Sequence, residues 1–251
     1  MTRTTALVTG ATAGFGAAIA RELVKNGRRV IGTGRRSERL QELATELGDA
    51  FYPLAFDVRD RAATEAALAT IPQSFLPIEV LVNNAGLALG LGPAHEADPE
   101  DWETMVDTNV KGLLYMTRAL LPDMVERGRG HIVNIGSVAA DNPYPGGNVY
   151  GATKAFVQQF SRNLRADLLG SGVRVTDIAP GLAETEFSLV RFKGDEARAK
   201  APYSGLEALT GEDIARATLW ALVQPPHVNI NRIEIMPTAQ AWGPMAAHRK
   251  K

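Results

Sequence analysis

Short runs of β-branched and other apolar residues alternate along the chain with longer stretches in which apolar positions recur every three to four residues. The short runs fall at Ala6–Thr9, Arg29–Thr33, Ala50–Asp57, Glu79–Asn83, His131–Ser137, Arg174–Ala179 and Arg232–Met236, and they predict seven strands. The stretches between them have helical spacing: Ile19, Leu23 and Val24 in the first, and Phe156, Phe160, Leu164 and Leu168 in a later one. That last stripe fits plain core packing or a subunit contact. Strands separated by helices predict an α/β protein with a parallel sheet, because parallel neighbours need a crossover connection. No Pro/Ser-rich linker, low-complexity tract, charge block or internal repeat divides the sequence, so one domain over 1–251 is expected. The least regular stretch follows Pro180. There the helical pattern of Glu196 to Lys200 is flanked by Gly194, Pro202 and Gly205. Long excursions after a strand in a compact fold usually cover a ligand, which makes about 182–209 a candidate substrate-covering segment.

Charge and composition narrow the partners. The chain of 251 residues carries 27 Lys+Arg against 28 Asp+Glu, which argues against a nucleic-acid footprint and against a polybasic membrane patch. Its one basic cluster, His248-Arg249-Lys250-Lys251, is short. The absence of cysteine excludes disulfides, thiolate metal sites and cysteine nucleophiles. No run approaches the ~20 apolar residues of a membrane helix, and the start lacks the zones of a secretory signal. A cytoplasmic protein is expected. His95, His131, His227 and His248 have no metal-ligand spacing, so structural roles and no metal are expected. Trp102, Trp220 and Trp242 read as core or interface.

Candidate chemistry gathers at the predicted carboxyl ends of the strands. The first strand runs into Thr9-Gly10-Ala11-Thr12-Ala13-Gly14-Phe15-Gly16 and then a helix. Glycines at such a turn let backbone approach a pyrophosphate, and the helix N-terminus supplies free N–H groups; a tight turn with no ligand is the alternative. About 20 residues later, where an NAD enzyme places an acid on the ribose, the chain reads Thr33-Gly34-Arg35-Arg36. Guanidinium groups there suit the 2′-phosphate of NADP, although two arginines also fit a solvated helix start. Asp57-Val58 and Asn83-Asn84-Ala85-Gly86 end the third and fourth strands, as turn formers or ligand contacts. Tyr150 and Lys154, four residues apart, share one helix face. Ser137 stands 13 residues before Tyr150, and Asn109 sits within a preceding helical stretch, where Asn is locally unfavourable.

Taken together, these motifs resemble the short-chain dehydrogenase/reductase family over essentially the whole chain. The family glycine motif matches Thr9 to Gly16, its Asn-Asn-Ala-Gly matches Asn83 to Gly86, and its Pro-Gly turn matches Pro180-Gly181. Its Asn-Ser-Tyr-Lys tetrad falls on Asn109, Ser137, Tyr150 and Lys154. The resemblance implies a Rossmann-type doubly wound seven-stranded parallel sheet flanked by helices on both faces, and a homotetramer. It implies NADP held by Gly10, Thr12, Ala13, Gly14, Phe15, Gly16, Arg35, Arg36, Asp57, Val58, Asn83, Ala85, Gly86, Tyr150, Lys154, Pro180 and Gly181. Tyr150 is then the acid/base, Lys154 its cation and a ribose contact, Ser137 a holder of substrate oxygen, and Asn109 the orienter of a water.

Three further stretches, Tyr144 to Phe156, Val190 to Gly194 and His227 to Asn231, are similar to the NADP-dependent 3-hydroxy acid dehydrogenases. That subgroup oxidises L-allo-threonine, serine and related 3-hydroxy acids, and reduces malonic semialdehyde. Leu182-Ala183-Glu184-Thr185 is shorter and more acidic than the glycine-bearing loop of the subgroup. A 3-hydroxy acid brings a carboxylate under the covering segment, and Arg191 or Lys193 is the expected partner, with Arg191 favoured for its planar fork. Glu184 is placed to meet a substrate ammonium. The alternatives on the same scaffold are a β-ketoacyl or general carbonyl reductase, and an NADPH-binding redox sensor.

Overall fold

The computed structural model describes residues 4–243. All seven expected strands form: β1 (Thr5–Val8), β2 (Arg29–Gly34), β3 (Phe51–Ala55), β4 (Ile78–Asn83), β5 (Gly130–Ile135), β6 (Val173–Pro180) and β7 (Arg232–Ile235). The third is shorter than its apolar run. Phe56 still donates its N–H to the Gly34 carbonyl, but Asp57 then turns away to bond Arg59. Every pairing is parallel, in the order β3-β2-β1-β4-β5-β6-β7.

Successive side chains of a strand point to opposite faces, and each face of this sheet is covered. Ala6 and Val8 of β1 join a core made with Ile19 and Leu23 of α1 (Gly14–Lys25), Leu40 and Leu43 of α2 (Ser37–Leu47) and Ile214 of a late helix. Leu7, between them, faces the other way, toward Met116 and Met124 of α5 (Leu113–Glu126), Leu164 of α6 (Asn148–Asp167) and Leu168 just after it. The chain therefore has the doubly wound arrangement expected of it. The remaining helices are α3 (Arg61–Leu68), α4 (Pro99–Val106), α7 (Glu186–Arg191), α8 (Glu196–Lys200) and α9 (Gly211–Leu222), the last holding Ile214.

The apolar stripe of α6 splits between its two readings. Leu164 and Leu168 are buried, whereas Phe156 is exposed and stacks on Phe160. Trp102 packs at the edge of a small core that includes Met105 and Tyr150, while Trp220 and Trp242 are exposed. His131 is buried on β5 with Nε2 2.8 Å from the Thr176 hydroxyl; burial drives its pKa down to about 3, so it stays neutral. His248 and the basic cluster lie outside the described residues.

β1 has its neighbours β2 and β4 on opposite sides, so the crossovers leaving β1 and β4 diverge to opposite faces. Ligands of open α/β sheets sit in the crevice this opens at the carboxyl ends. Among the described residues, no helix is long and apolar enough to cross a membrane, and no three acidic or histidine side chains converge as metal ligands would.

Candidate active site

A cavity of about 620 Å³ opens at that crevice, between the carboxyl ends of β1, β4, β5 and β6 and the covering segment. Its floor on the β1 side is backbone. Gly10 and Gly14 adopt φ of +67° and +51°, where a side chain would be strained. Gly16 has a different reason to be glycine: a Cβ there would collide with the Gly10 carbonyl and the Asn84 amide. The turn is pinned from β4. Asn84 Nδ2 donates to the carbonyls of Thr9 (2.8 Å) and Gly10 (3.2 Å), and Thr9 Oγ1 accepts from the N–H groups of Asn84 and Ala85. Ala13, the N-cap of α1, has no side chain to satisfy the first N–H groups of the helix. Those donors at a cavity lined by Ala13, Gly14 and Phe15 suit a pyrophosphate.

Thr12, Arg35, Arg36, Asp57, Val58, Ala85, Gly86, Pro180 and Gly181 also line the cavity. Arg36 is already engaged: Nε and Nη2 donate to Thr12 Oγ1 at 3.2 and 2.9 Å, and Nη1 pairs with Glu186 at 2.9 Å. Asp57 is held by Arg59, and although burial opposes it, the Arg59 hydrogen bonds keep its pKa below the usual carboxylate range. One expected contact is corrected. Asn83, on the last residue of β4, turns its amide into the sheet, where it donates to Thr117 Oγ1 and Asn134 Oδ1. Strand alternation sends the next residue to the opposite side, and Asn84 is the amide that reaches the glycine turn. Gly16 likewise supports the cavity without lining it.

The tetrad residues come together across three elements. Ser137 follows β5 and caps a turn, accepting from Ala139 N at 3.1 Å. Tyr150 and Lys154 lie on one face of α6, with Nζ 5.8 Å from the phenol ring centroid. Lys154 Nζ donates to the Ile135 carbonyl at 2.8 Å. Both are buried. Burial raises the Tyr150 pKa above its ordinary value, with the Ser137 hydroxyl and Arg191 opposing, and it lowers Lys154 to about 8. Asn109 sits in a π-helical turn, Asp107–Gly112, rather than in regular helix, a feature common at functional sites. Its Oδ1 accepts from Leu87 N, while Nδ2 donates to the Leu87 carbonyl and Thr153 Oγ1. A Cβ at Gly86 would stand 3.2 Å from that Oδ1 and 3.6 Å from Lys154 Nζ, so glycine keeps this corner open.

The covering segment contributes α7, capped by the Thr185 side chain, and then α8. It separates the two candidate carboxylate partners. Arg191 lines the cavity, donating to the Gly90 carbonyl and Tyr144 hydroxyl, with its guanidinium 5.4 Å from the Tyr150 ring centroid. Lys193 lies outside, paired with Asp101 at 2.9 Å. The helix ends between them, and Lys193 has φ of +51°, so the two do not share a face. Glu184 is also outside the cavity; its backbone is pinned to Leu209. Sequence reasoning assigned no site role to Tyr144 and Phe192, although both fall in stretches singled out above, and none to Phe187 and Tyr203; all four line the cavity. Only the aromatic content of 144–203 hinted at them.

Comparison with known proteins agrees with this geometry. The short chain dehydrogenase family model matches residues 4–195. The NADP-dependent 3-hydroxy acid dehydrogenase YdfG of Salmonella typhi is 62% identical over 244 residues, covering 97% of this chain and 98% of that protein. Serine 3-dehydrogenase of Agrobacterium fabrum is 54% identical over 246 residues, 98% of each. Among solved structures, the closed form of a serine dehydrogenase complexed with NADP+ superposes with a TM-score of 0.95 at 60% identity, covering 98% of this chain and 100% of that one. The chain belongs to the short-chain dehydrogenase family.

Proposed function

We propose that this protein is an NADP-dependent dehydrogenase that reversibly oxidises the hydroxyl of small 3-hydroxy acids, such as L-allo-threonine, serine and 3-hydroxypropionate, to the carbonyl. One observation carries the reading: Ser137, the buried Tyr150 and Lys154, and the Arg191 guanidinium line a single cavity. The similarity to 3-hydroxy acid and serine dehydrogenases supports it. The glycine turn, the start of α1, Arg35, Arg36, Asp57, Val58, Ala85, Gly86 and the Pro180-Gly181 turn would hold the cofactor. NADP supplies the hydride acceptor or donor and, when oxidised, a positive charge.

The chain's own work is orientation and proton transfer. Ser137 holds the substrate oxygen, and Tyr150 takes the alcohol proton in oxidation or returns it in reduction. A free phenol has a pKa of ~10, so acting near neutrality needs a shift of roughly 3 units, about 4 kcal/mol. Burial alone works against this, since it favours the neutral phenol. The Ser137 hydroxyl and Arg191 oppose burial, and the Lys154 cation, whose Nζ has one protein acceptor, Ile135 O, adds its charge to theirs. Asn109, tied to Leu87 and Thr153, orders the water that carries protons outward. Arg191 keeps its Nη1 edge for the substrate carboxylate after bonding Gly90 and Tyr144 through Nε and Nη2. The reading also includes the homotetramer, for which the exposed Phe156 on α6 offers an apolar contact.

The test is NADP-linked absorbance change with serine, allo-threonine, 3-hydroxypropionate and an apolar alcohol, for the wild type and for Tyr150→Phe. The three acids are expected to be oxidised in preference to the apolar alcohol. Tyr150→Phe is expected to lose several orders of magnitude in turnover while still binding NADPH. Preference for the apolar alcohol would favour a general carbonyl reductase, and a fully active Tyr150→Phe would remove the tyrosine from its role.

A further inference from the structure

Asp177 of β6 has a side chain only 4% exposed, and neither carboxylate oxygen has a hydrogen-bond donor. Its carboxylate packs against the backbone of Gly136, where a Cβ would collide with Oδ1. Gly136 separates Ile135, whose carbonyl holds Lys154 Nζ, from Ser137. The anion therefore lies behind the short piece of backbone that presents both groups. Asp177 has an ion pair with Arg232 Nε at 3.5 Å, whereas Lys154 is a buried ammonium whose protein acceptor is a neutral carbonyl. A buried charge without a partner tends to neutralise, and two of opposite sign close together sustain each other.

The charged groups around Asp177 come from several elements. Lys154 and Arg162 belong to α6; Arg232 of β7 places Nε 3.5 Å away, with Glu234 behind it; and Asp141, after β5, is ion-paired to Arg232. Burial pushes Asp177 up to about 6, against the pull of Arg232 and Lys154. Burial brings Lys154 down to about 8, and Asp177 opposes that fall. Between those values both carry charge.

We propose that Asp177 is the buried counter-ion of Lys154, a positioning residue that holds the lysine in its cationic form beside Tyr150. The inference rests on the roles given above to Tyr150 and Lys154. Without the anion, Lys154 gives up its proton at lower pH, and Tyr150 loses the cation that lets it act as a base. The rising limb of kcat/KM for oxidation then moves to higher pH. A direct effect of Asp177 on the phenol would have the opposite sign, because removing an anion eases phenol ionisation.

The experiment is Asp177→Asn, read in two ways: NMR titration of isotope-labelled Lys154 in the free protein, and the pH profile of allo-threonine oxidation. The expected result is a Lys154 pKa lowered, and a rising limb raised, by about one pH unit. Arg232→Gln supplies a second variant, and carries the test where Asp177→Asn does not fold. With Arg232 gone, Asp177 protonates nearer neutrality, so the activity defect should appear at pH 7 and fade as Asp177 ionises at higher pH. A folded variant with an unmoved Lys154 titration and rising limb, or a limb shifted downward, would overturn the proposal. An active Tyr150→Phe sinks the catalytic reading itself, whatever the Lys154 titration shows; an inactive one beside an unmoved Asp177→Asn profile sinks only the counter-ion.

Discussion

The two sides of the cavity are built by different means. On the β1 side, Gly10, Gly14 and Gly16 shape a surface of backbone, fixed by Asn84 and Thr9 through hydrogen bonds of 2.8 to 3.2 Å. On the covering side, α7 and the residues after it are held by side chains: Glu186 to Arg36 and Arg39, Arg191 to Tyr144 and Gly90, and Lys193 to Asp101. Glu186, Arg36 and Arg39 are all well exposed, with 37 to 47% of their side-chain surface open. Backbone held by several converging, partly buried hydrogen bonds is left with one geometry, whereas exposed ion pairs exchange readily with water and ions. The contrast suits a rigid seat for a shared cofactor beneath a segment able to open for different substrates.

The largest effect on this comparison is expected at Gly16. Gly16→Ala drives a methyl group into the Gly10 carbonyl, and backbone cannot yield as a flexible side chain would. Overpacking of this kind costs about 1 to 3 kcal/mol. If the strain falls on the glycine turn, NADPH affinity drops on the order of ten- to a hundredfold. Fluorescence titration of NADPH measures this, and unchanged affinity would mean that the turn is not the rigid seat described.

An intermediate effect separates the two cations of the covering segment. Arg191→Ala is expected to lower kcat/KM for allo-threonine by about ten- to a hundredfold, the value of one charge-assisted hydrogen bond at about 1.5 to 3 kcal/mol. Its uncharged amino-alcohol analogue should be much less affected. Lys193→Ala, which removes an exposed pair with Asp101, should stay within about twofold for both substrates. Equal losses on acid and analogue in Arg191→Ala would show that the arginine only braces Tyr144.

The same contrast explains what could be read from the sequence. The glycine turn was legible because its residues are contiguous and act through backbone, and Tyr150 and Lys154 because helix geometry fixes their relation. The covering side depends on contacts between residues 47, 101 and 150 positions apart, which no local pattern encodes. Within the local motifs, alternation should have distinguished Asn83 from Asn84, since adjacent residues at a strand end face opposite ways. Arg191 was favoured over Lys193 only for the shape of its guanidinium; what separates them in space is the end of α7, which falls between them. Asp177 was hidden inside β6, Val173 to Pro180, where the signal was an acid in a strand covered on both faces.

The smallest expected effect tests whether the covering side is as loosely tied as its exposure implies. Glu186 bonds Arg36 through Oε2 and Arg39 through Oε1, joining α7 to the start of α2. Each pair, exposed as it is, is worth roughly 0.2 to 1 kcal/mol after solvent screening. Glu186→Gln, which weakens both pairs, should therefore lower the melting temperature by a few degrees, at most about 4 to 8 °C for a chain of this size. The local consequence is larger than the global one, because α7 has six residues and these pairs are its tie to α2. Amide exchange across Glu186–Arg191 should speed up, while that of β1 and α1 stays unchanged. Salt gives the control: at 1 M the screening length is about 3 Å, so the wild type should come to exchange like the variant. Exchange quickening throughout the sheet, or insensitivity of α7 to both salt and substitution, would mean that the covering segment is part of the rigid body and that the two sides do not differ as described.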